Sequence, residues 1–131
     1  MAKRRILIAD DTQTIRVITR VLLMGWDIEF DDAIDGLEAL KKAKETLPDL
    51  ILSDVQMPGL DGFELCAAIR SDPALQNVPV ILMTAQKDEA SRMKGKIVGA
   101  TDFLTKPVTA DALRERVSNL LKLPLPSGGK K

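Results

Sequence analysis

The chain has 131 residues, 45% of them hydrophobic, with 19 basic side chains against 19 acidic ones. That length suits one domain, the apolar share is enough to fill a core, and a net charge of zero with no basic run denser than Lys3-Arg4-Arg5 argues against nucleic acid as a direct partner. One cysteine, Cys66, allows neither an internal disulfide nor a zinc spacing, and the lack of histidine and tyrosine excludes an imidazole base, a phosphohistidine on this chain and a phenolic switch.

The basic start is followed by only four apolar residues, too few for a signal core, and no apolar run approaches a membrane span. A soluble, cytoplasmic, reducing setting with no membrane partner is expected. Ile6–Ala9 is a continuous apolar run, predicted as a strand buried on both faces, and it ends at Asp10-Asp11. Ile15, Ile18, Val21 and Leu22 then recur at helical spacing up to Gly25. Asp27–Ala33 alternates more weakly and suits a sheet edge. Leu37, Leu40, Lys44 and Leu47 mark a one-sided helix closed by Pro48. Leu50–Ser53 is a second buried strand, and Phe63–Arg70 a short helix with Leu65 and Ile69 inward.

Pro79–Thr84 is the next strand, and residues 87–98 a helix weakened by Gly95, where glycine costs about 1 kcal/mol relative to alanine. Asp102–Leu104 is a brief last strand. Thr109 caps a final helix to 121, with Leu113, Val117, Leu120 and Leu121 on one face. Five strands alternating with five helices predict an α/β fold: a doubly wound five-stranded parallel sheet with helices on both faces. The predicted domain is 1–122. Residues 123–131, LPLPSGGKK, are expected to be a disordered tail or the start of a linker.

In an open parallel sheet, ligands bind beyond the carboxyl ends of the strands, where strand order reverses. The residues at those ends are Asp10 and Asp11, Asp54, Thr84 and, just past the fifth strand, Lys106. Each alone reads equally as a cap or a solvated loop charge. Together they pose an electrostatic problem, because two unit charges about 4 Å apart repel by roughly 4 kcal/mol at an effective dielectric of 20. One lysine does not balance three carboxylates, so a proton or a cation must, and an all-oxygen set suits Mg²⁺ rather than zinc or copper.

These positions resemble the receiver domain of response regulators, the CheY-like family of two-component signalling, over roughly residues 4–122. The resemblance rests on ADD at 9–11, D-x-x-M-P-G-x-D-G at 54–62, MTA at 83–85 and GATDFLTKP at 99–107. It implies that Asp54 accepts a phosphoryl group from a sensor histidine kinase or a histidine phosphotransfer protein. It implies Mg²⁺ (or Mn²⁺) held by Asp54, by Asp11 directly, by Asp10 mainly through water, and by the backbone carbonyl of Gln56. Thr84 and Lys106 bind phosphoryl oxygens in this family, Phe103 is the aromatic that changes rotamer with state, and Lys106-Pro107 is a cis peptide. The same resemblance implies a switched face of helix 87–98, strand 102–104 and helix 109–121 that meets a downstream output protein. It implies a bacterial signalling protein, not an enzyme apart from self-phosphorylation and self-dephosphorylation at Asp54. KGKIVGATDFLTKPV is also similar to stand-alone receivers of bacterial surface-motility systems.

Two other readings compete. A Mg²⁺-dependent phosphohydrolase working through an aspartyl phosphate wants a second acid two residues after the nucleophile, where this chain has Gln56. A phosphorylation-independent interaction module tends to lose an acidic residue or the lysine, and here all are present. Gln56 and Gln86, each two residues beyond a site residue, read either as tuners of phosphate lifetime or as exposed loop positions. Cys66 reads as a core filler.

Overall fold

The three most apolar runs cannot be solvated, and the fold places them side by side at the centre of one sheet. The computed structural model describes residues 3–85 and 88–124. In chain order the elements are β1 (Arg4–Ala9), α1 (Gln13–Leu22), β2 (Ile28–Ala33), α2 (Gly36–Thr46), β3 (Leu50–Asp54), α3 (Gly62–Ser71), β4 (Val80–Thr84), α4 (Glu89–Ile97), β5 (Asp102–Thr105) and α5 (Ala110–Leu121). The strands are all parallel in the order β2-β1-β3-β4-β5. The weakly patterned β2 lies at one edge, as its alternation predicts, and short β5 at the other.

Side-chain alternation divides the core into two layers. Leu7, Ala9, Ile51 and Leu82 point to the face covered by α2 and α3, where Ala39, Ala43, Leu65, Cys66 and Ile69 meet them. Ile6, Ile8, Leu50, Leu52, Ile81 and Met83 point the other way, onto Leu113, Val117 and Leu121 of α5 and onto Leu22 and Leu23 at the end of α1. Each fully buried Leu or Ile contributes about 1.5–3 kcal/mol, so the three central strands dominate the stability of the sheet.

Two of the predicted helix faces are corrected. On α2 the inward face is Gly36, Ala39 and Ala43 with Leu40 beside them, while Leu37 is 64% exposed and Leu47 57%. At Gly36 the approach is close: a Cβ there would lie 2.2 Å from the Leu60 carbonyl oxygen, so the helix begins with no room for a side chain at that position. On α1, Thr19 is buried whereas Ile18 and Val21 are exposed.

The helix expected over 87–98 spans Glu89–Ile97, started by the Asp88 side chain accepting from Ser91 N; Gln86 and Lys87 lie outside the described residues. Gly95 has a packing reason as well, since a Cβ there would stand 3.2 Å from Cδ1 of Phe103. Thr109 caps α5 through Ala112 N, as expected. Of the predicted tail, Leu123 and Pro124 are hydrogen-bonded, Leu123 N to the Ser118 carbonyl and the Pro124 carbonyl from the Trp26 indole. Residues 125–131 lie outside the described residues.

The loop from β3 to α3 fixes the direction in which β3 ends. Gly59 turns the chain at φ 71°, a left-handed conformation that glycine adopts without strain, and an Asp61–Glu64 capping box starts α3. Gly62 then packs directly on the strand end: a Cβ there would lie 2.4 Å from the Asp54 carbonyl oxygen and 2.8 Å from Val55 Cα. These are backbone atoms, which cannot rotate away. Gly62→Ala is therefore expected to destabilise the fold by about 1–3 kcal/mol, the usual cost of overpacking, read as a lower urea midpoint at unchanged m-value.

Candidate functional site

Strand order reverses between β1 and β3, because β1 connects outward to β2 on one side and β3 leads to β4 on the other. The carboxyl ends of these two strands therefore open a crevice. Asp10 follows β1 and Asp54 is the last residue of β3, one position further into the strand than the sequence pattern suggests. Asp10 is 1% exposed and Asp54 8%, while Asp11 stands in solvent. One carboxylate oxygen from each of the three lies within 4.8 Å of the others.

Lys106 joins the cluster from the far side of β4. Its Nζ lies 3.3 Å from Asp54 Oδ1 and 3.4 Å from Asp10 Oδ2, so one ammonium serves two carboxylates. It is held there by its own backbone, whose N–H donates to the Thr84 carbonyl at 2.7 Å. Thr84 ends β4, is 1% exposed, and pairs with Thr105 across the ladder. The peptide Lys106-Pro107 is cis, as the resemblance implies. Phe103 sits two register positions back, opposite Leu82, with its ring half-buried over Gly95 and the Arg92 guanidinium 5.5 Å from the ring centroid. Phe103 is thus turned toward α4.

Gln56 has a backbone and a side-chain place. Its N–H hydrogen-bonds the Asp54 carboxylate, and its exposed side chain lines an open cleft of about 640 Å³ with Asp11, Asp61, Phe63 and Lys94. Trp26 lies elsewhere, on the indole–Pro124 contact below α5. Cys66 is buried, its thiol directed at the Val98 carbonyl and its pKa pushed up by burial, which fits a core filler.

Two residues shape the site beyond the roles read from the sequence: Gly62, the last residue of the D-x-x-M-P-G-x-D-G run, and Arg16. Gly62 gives Asp54 its room, and Arg16 donates from Nη1 to the Asp10 carbonyl at 2.6 Å and from Nε to Asp32 Oδ2 at 3.1 Å. Arg16 falls at an ordinary polar position of a helix. Only the meeting of α1 with the end of β2 reveals its contacts.

The all-oxygen donor set fits a small hard cation. Two Mg–O bonds of about 2.0–2.1 Å span at most about 4.2 Å, close to the spacing of these carboxylates, and a single lysine leaves their charge undercompensated.

A family model described as "Response regulator receiver domain" matches residues 6–118. The chain belongs to that family. The receiver is 40% identical to the response regulator PleD of Caulobacter vibrioides over 121 residues, covering 92% of this chain and 27% of that protein. It is 37% identical to protein PilG of Pseudomonas aeruginosa over 109 residues, covering 83% and 81%. This chain therefore spans about a quarter of the first relative and most of the second. Among solved structures, a response regulator from Chloroflexus aurantiacus, titled "putative", superposes with TM-score 0.87 at 36% identity, covering 92% of this chain and 99% of that one. The receiver domain of a sensor histidine kinase from Pseudomonas aeruginosa, with magnesium coordinated in its active-site cleft, superposes at 0.84 with 26% identity over 92% and 99%. Receivers are the phosphoacceptors of two-component signalling; they pair with histidine kinases and bind Mg²⁺ at an acidic pocket like the one formed here.

Electrostatics make an ionised Asp54 costly in the bare protein. Burial raises the Asp54 carboxyl above the ordinary carboxylate range; Lys106 opposes the shift, the charge of Asp10 adds to it, and the net result is upward. An acid with a raised folded-state pKa holds its proton to higher pH folded than unfolded. Stability therefore falls as pH climbs from the ordinary carboxylate range through the raised value, and above that value the contribution is gone. Asp54→Asn is expected to melt higher than the parent at pH 7 in chelator. The gain should shrink as pH falls toward protonation of Asp54, whereas a difference constant over the acid range contradicts this account.

Proposed function

We propose that residues 1–122 form a phosphorylatable receiver in which Asp54 accepts a phosphoryl group and thereby switches a protein-binding face. The observation that carries this reading is the Lys106 ammonium within 3.3 Å of Asp54 Oδ1 at the mouth of an acidic crevice. An Asp54 oxygen attacks phosphorus, the P–N bond of a partner's phosphohistidine breaks, and its electron pair returns to the imidazole nitrogen, which takes up a proton. The donor is a sensor histidine kinase or a histidine phosphotransfer protein, since this chain has no histidine.

Negative phosphoryl oxygens approaching a carboxylate need countercharge on both sides. Lys106 supplies one, and Mg²⁺ (or Mn²⁺), when bound, neutralises the others. Asp11 and Asp54 would hold the cation with the Gln56 carbonyl. Asp10 is suited to act mainly through water, because its Oδ1 already accepts from Thr12 N at 2.9 Å and its Oδ2 faces Lys106. Hydrolysis of the acyl phosphate later resets the domain.

In this reading Thr84 turns its hydroxyl to a phosphoryl oxygen, and Phe103 follows into the space that move vacates. The face affected comprises α4, β5 and α5, which meets a downstream output protein. A shift from 1:99 to 99:1 needs about 5.5 kcal/mol of preference for the active state, within reach of a few charge-assisted hydrogen bonds. Among the described residues no helix is long and apolar enough to cross a membrane; the cytoplasmic setting proposed here rests on the pairing with a histidine kinase.

Acetyl phosphate or beryllofluoride with Mg²⁺ tests the reading by intact mass and amide NMR. One stoichiometric adduct, lost in Asp54→Asn, is expected; continuous release of phosphate from esters points to a hydrolase instead. Lys106→Ala should keep Mg²⁺ binding and lose the shift response across residues 84–106, and an unchanged response there would sink the switching account.

A further inference from the structure

The Arg16 guanidinium has no part in the chemistry above, yet it is the most enclosed of the arginines around the site, with 11% of its side chain exposed. Its two hydrogen bonds reach different strands: the Asp10 carbonyl just past β1 and the Asp32 carboxylate near the end of β2. Asp32 is itself anchored, since its carboxylate also takes both terminal nitrogens of Arg20 and its carbonyl takes the Lys42 ammonium. Arg16 thus ties the Asp10 carbonyl to a fixed point.

That carbonyl belongs to the peptide joining the two acidic residues. A peptide unit is planar, so fixing its oxygen fixes the direction in which the chain enters Asp11. The Asp10 side chain needs little help, because its backbone N–H donates to the Ala33 carbonyl at 3.0 Å and both carboxylate oxygens have donors. Asp11 is different. It is exposed, and its carboxylate has one long side-chain contact, from Thr12 Oγ1 at 3.4 Å. What aims Asp11 is its backbone, and the backbone is held by Arg16.

We propose that Arg16 is a positioning residue of the divalent-cation site, fixing the Asp10–Asp11 peptide so that the Asp11 carboxylate is presented to the ion. This rests on the cation reading of Asp10, Asp11 and Asp54. Arginine is required because two N–H groups at fixed angles bridge a carbonyl and a carboxylate at once, which a lysine ammonium on a flexible stem does not do. The sign of the effect separates positioning from simple charge. Arg16 and Arg20 share the one Asp32 carboxylate, while Lys42 sits on the Asp32 carbonyl and is paired with Glu38, so the two arginines leave a local excess of positive charge; a purely electrostatic Arg16 repels the ion and its removal tightens binding. A positioning Arg16 does the opposite.

Mg²⁺ titrated calorimetrically into the full chain, with urea unfolding run in parallel, decides between them. Arg16→Gln and Arg16→Lys are each expected to weaken Mg²⁺ binding roughly 10–100-fold, as is usual when a group orienting a metal ligand is lost. Asp32→Asn, which loosens Arg16 without touching it, should weaken binding less. Unchanged or tighter binding in Arg16→Gln overturns the proposal and leaves Arg16 a structural anchor or a repulsive charge. Should Arg16→Gln fail to fold, Arg16→Lys and Asp32→Asn decide, and normal affinity in both overturns it. If the unaltered chain binds no Mg²⁺, the cation reading itself fails and the role of Arg16 with it; intact Mg²⁺ binding by the parent together with normal affinity in the variants isolates the failure to Arg16.

Discussion

The Lys106 ammonium stands between the carboxylates of Asp10 and Asp54, and the architecture around it keeps two buried negative charges sharing one positive partner. Left to relax, such a group would separate or take up protons. Here neither carboxylate can withdraw. Asp54 is the last residue of a strand buried along its whole length, and Asp10 is bonded at its amide, its carbonyl and both carboxylate oxygens. Burial, helped by the charge of Asp10 and opposed by Lys106, shifts the Asp54 carboxyl upward, so its ionised form is disfavoured. A site held short of positive charge is one that a divalent cation or a cation-bound phosphoryl group completes.

Sheet order is what brings the charges together. In the order β2-β1-β3-β4-β5, the crevice falls between β1 and β3, so Asp10 and Asp54, 44 residues apart in sequence, end on neighbouring strands with Ala9 opposite Ser53. Lys106 reaches them from beyond β4, directed by its N–H bond to Thr84. The glycine at 62 lets α3 begin against the Asp54 carbonyl without displacing it. Stability and site are coupled here in a specific way: the same buried strands that dominate the core also fix Asp10 and Asp54.

Much of this was legible in the sequence, and the reason is that strands carry their chemistry at their ends. A buried parallel strand reads as an apolar run, so the first polar residue after Ile6–Ala9 or Leu50–Ser53 locates the crevice without knowledge of the fold. Helices were less legible. The leucine spacing points Leu37 and Leu47 inward on α2, but the buried face there is Gly36, Ala39 and Ala43 with Leu40 beside them. Gly95 reads as a helix weakness until Phe103 is found against it. Arg16 is unreadable for a different reason: its partners Asp10 and Asp32 lie on separate strands, and nothing local to α1 marks it.

The register of β4 and β5 constrains how an event at Asp54 could reach α4. Thr84 pairs with Thr105 and Leu82 with Phe103, while Lys106 hangs from the Thr84 carbonyl, so the hydroxyl, the ammonium and the aromatic ring are carried on one short stretch of ladder. A pull on Lys106 or Thr84 is therefore delivered within two residues of Phe103. The ring rests where Gly95 has no side chain, with Arg92 over it, and a cation–π contact of this exposed kind is worth only about 0.5–1 kcal/mol. That is small against the roughly 5.5 kcal/mol a full population shift requires. The contact holding Phe103 toward α4 is thus weak enough to yield, and in the proposed switch the preference between states would have to come from the phosphoryl end of the ladder.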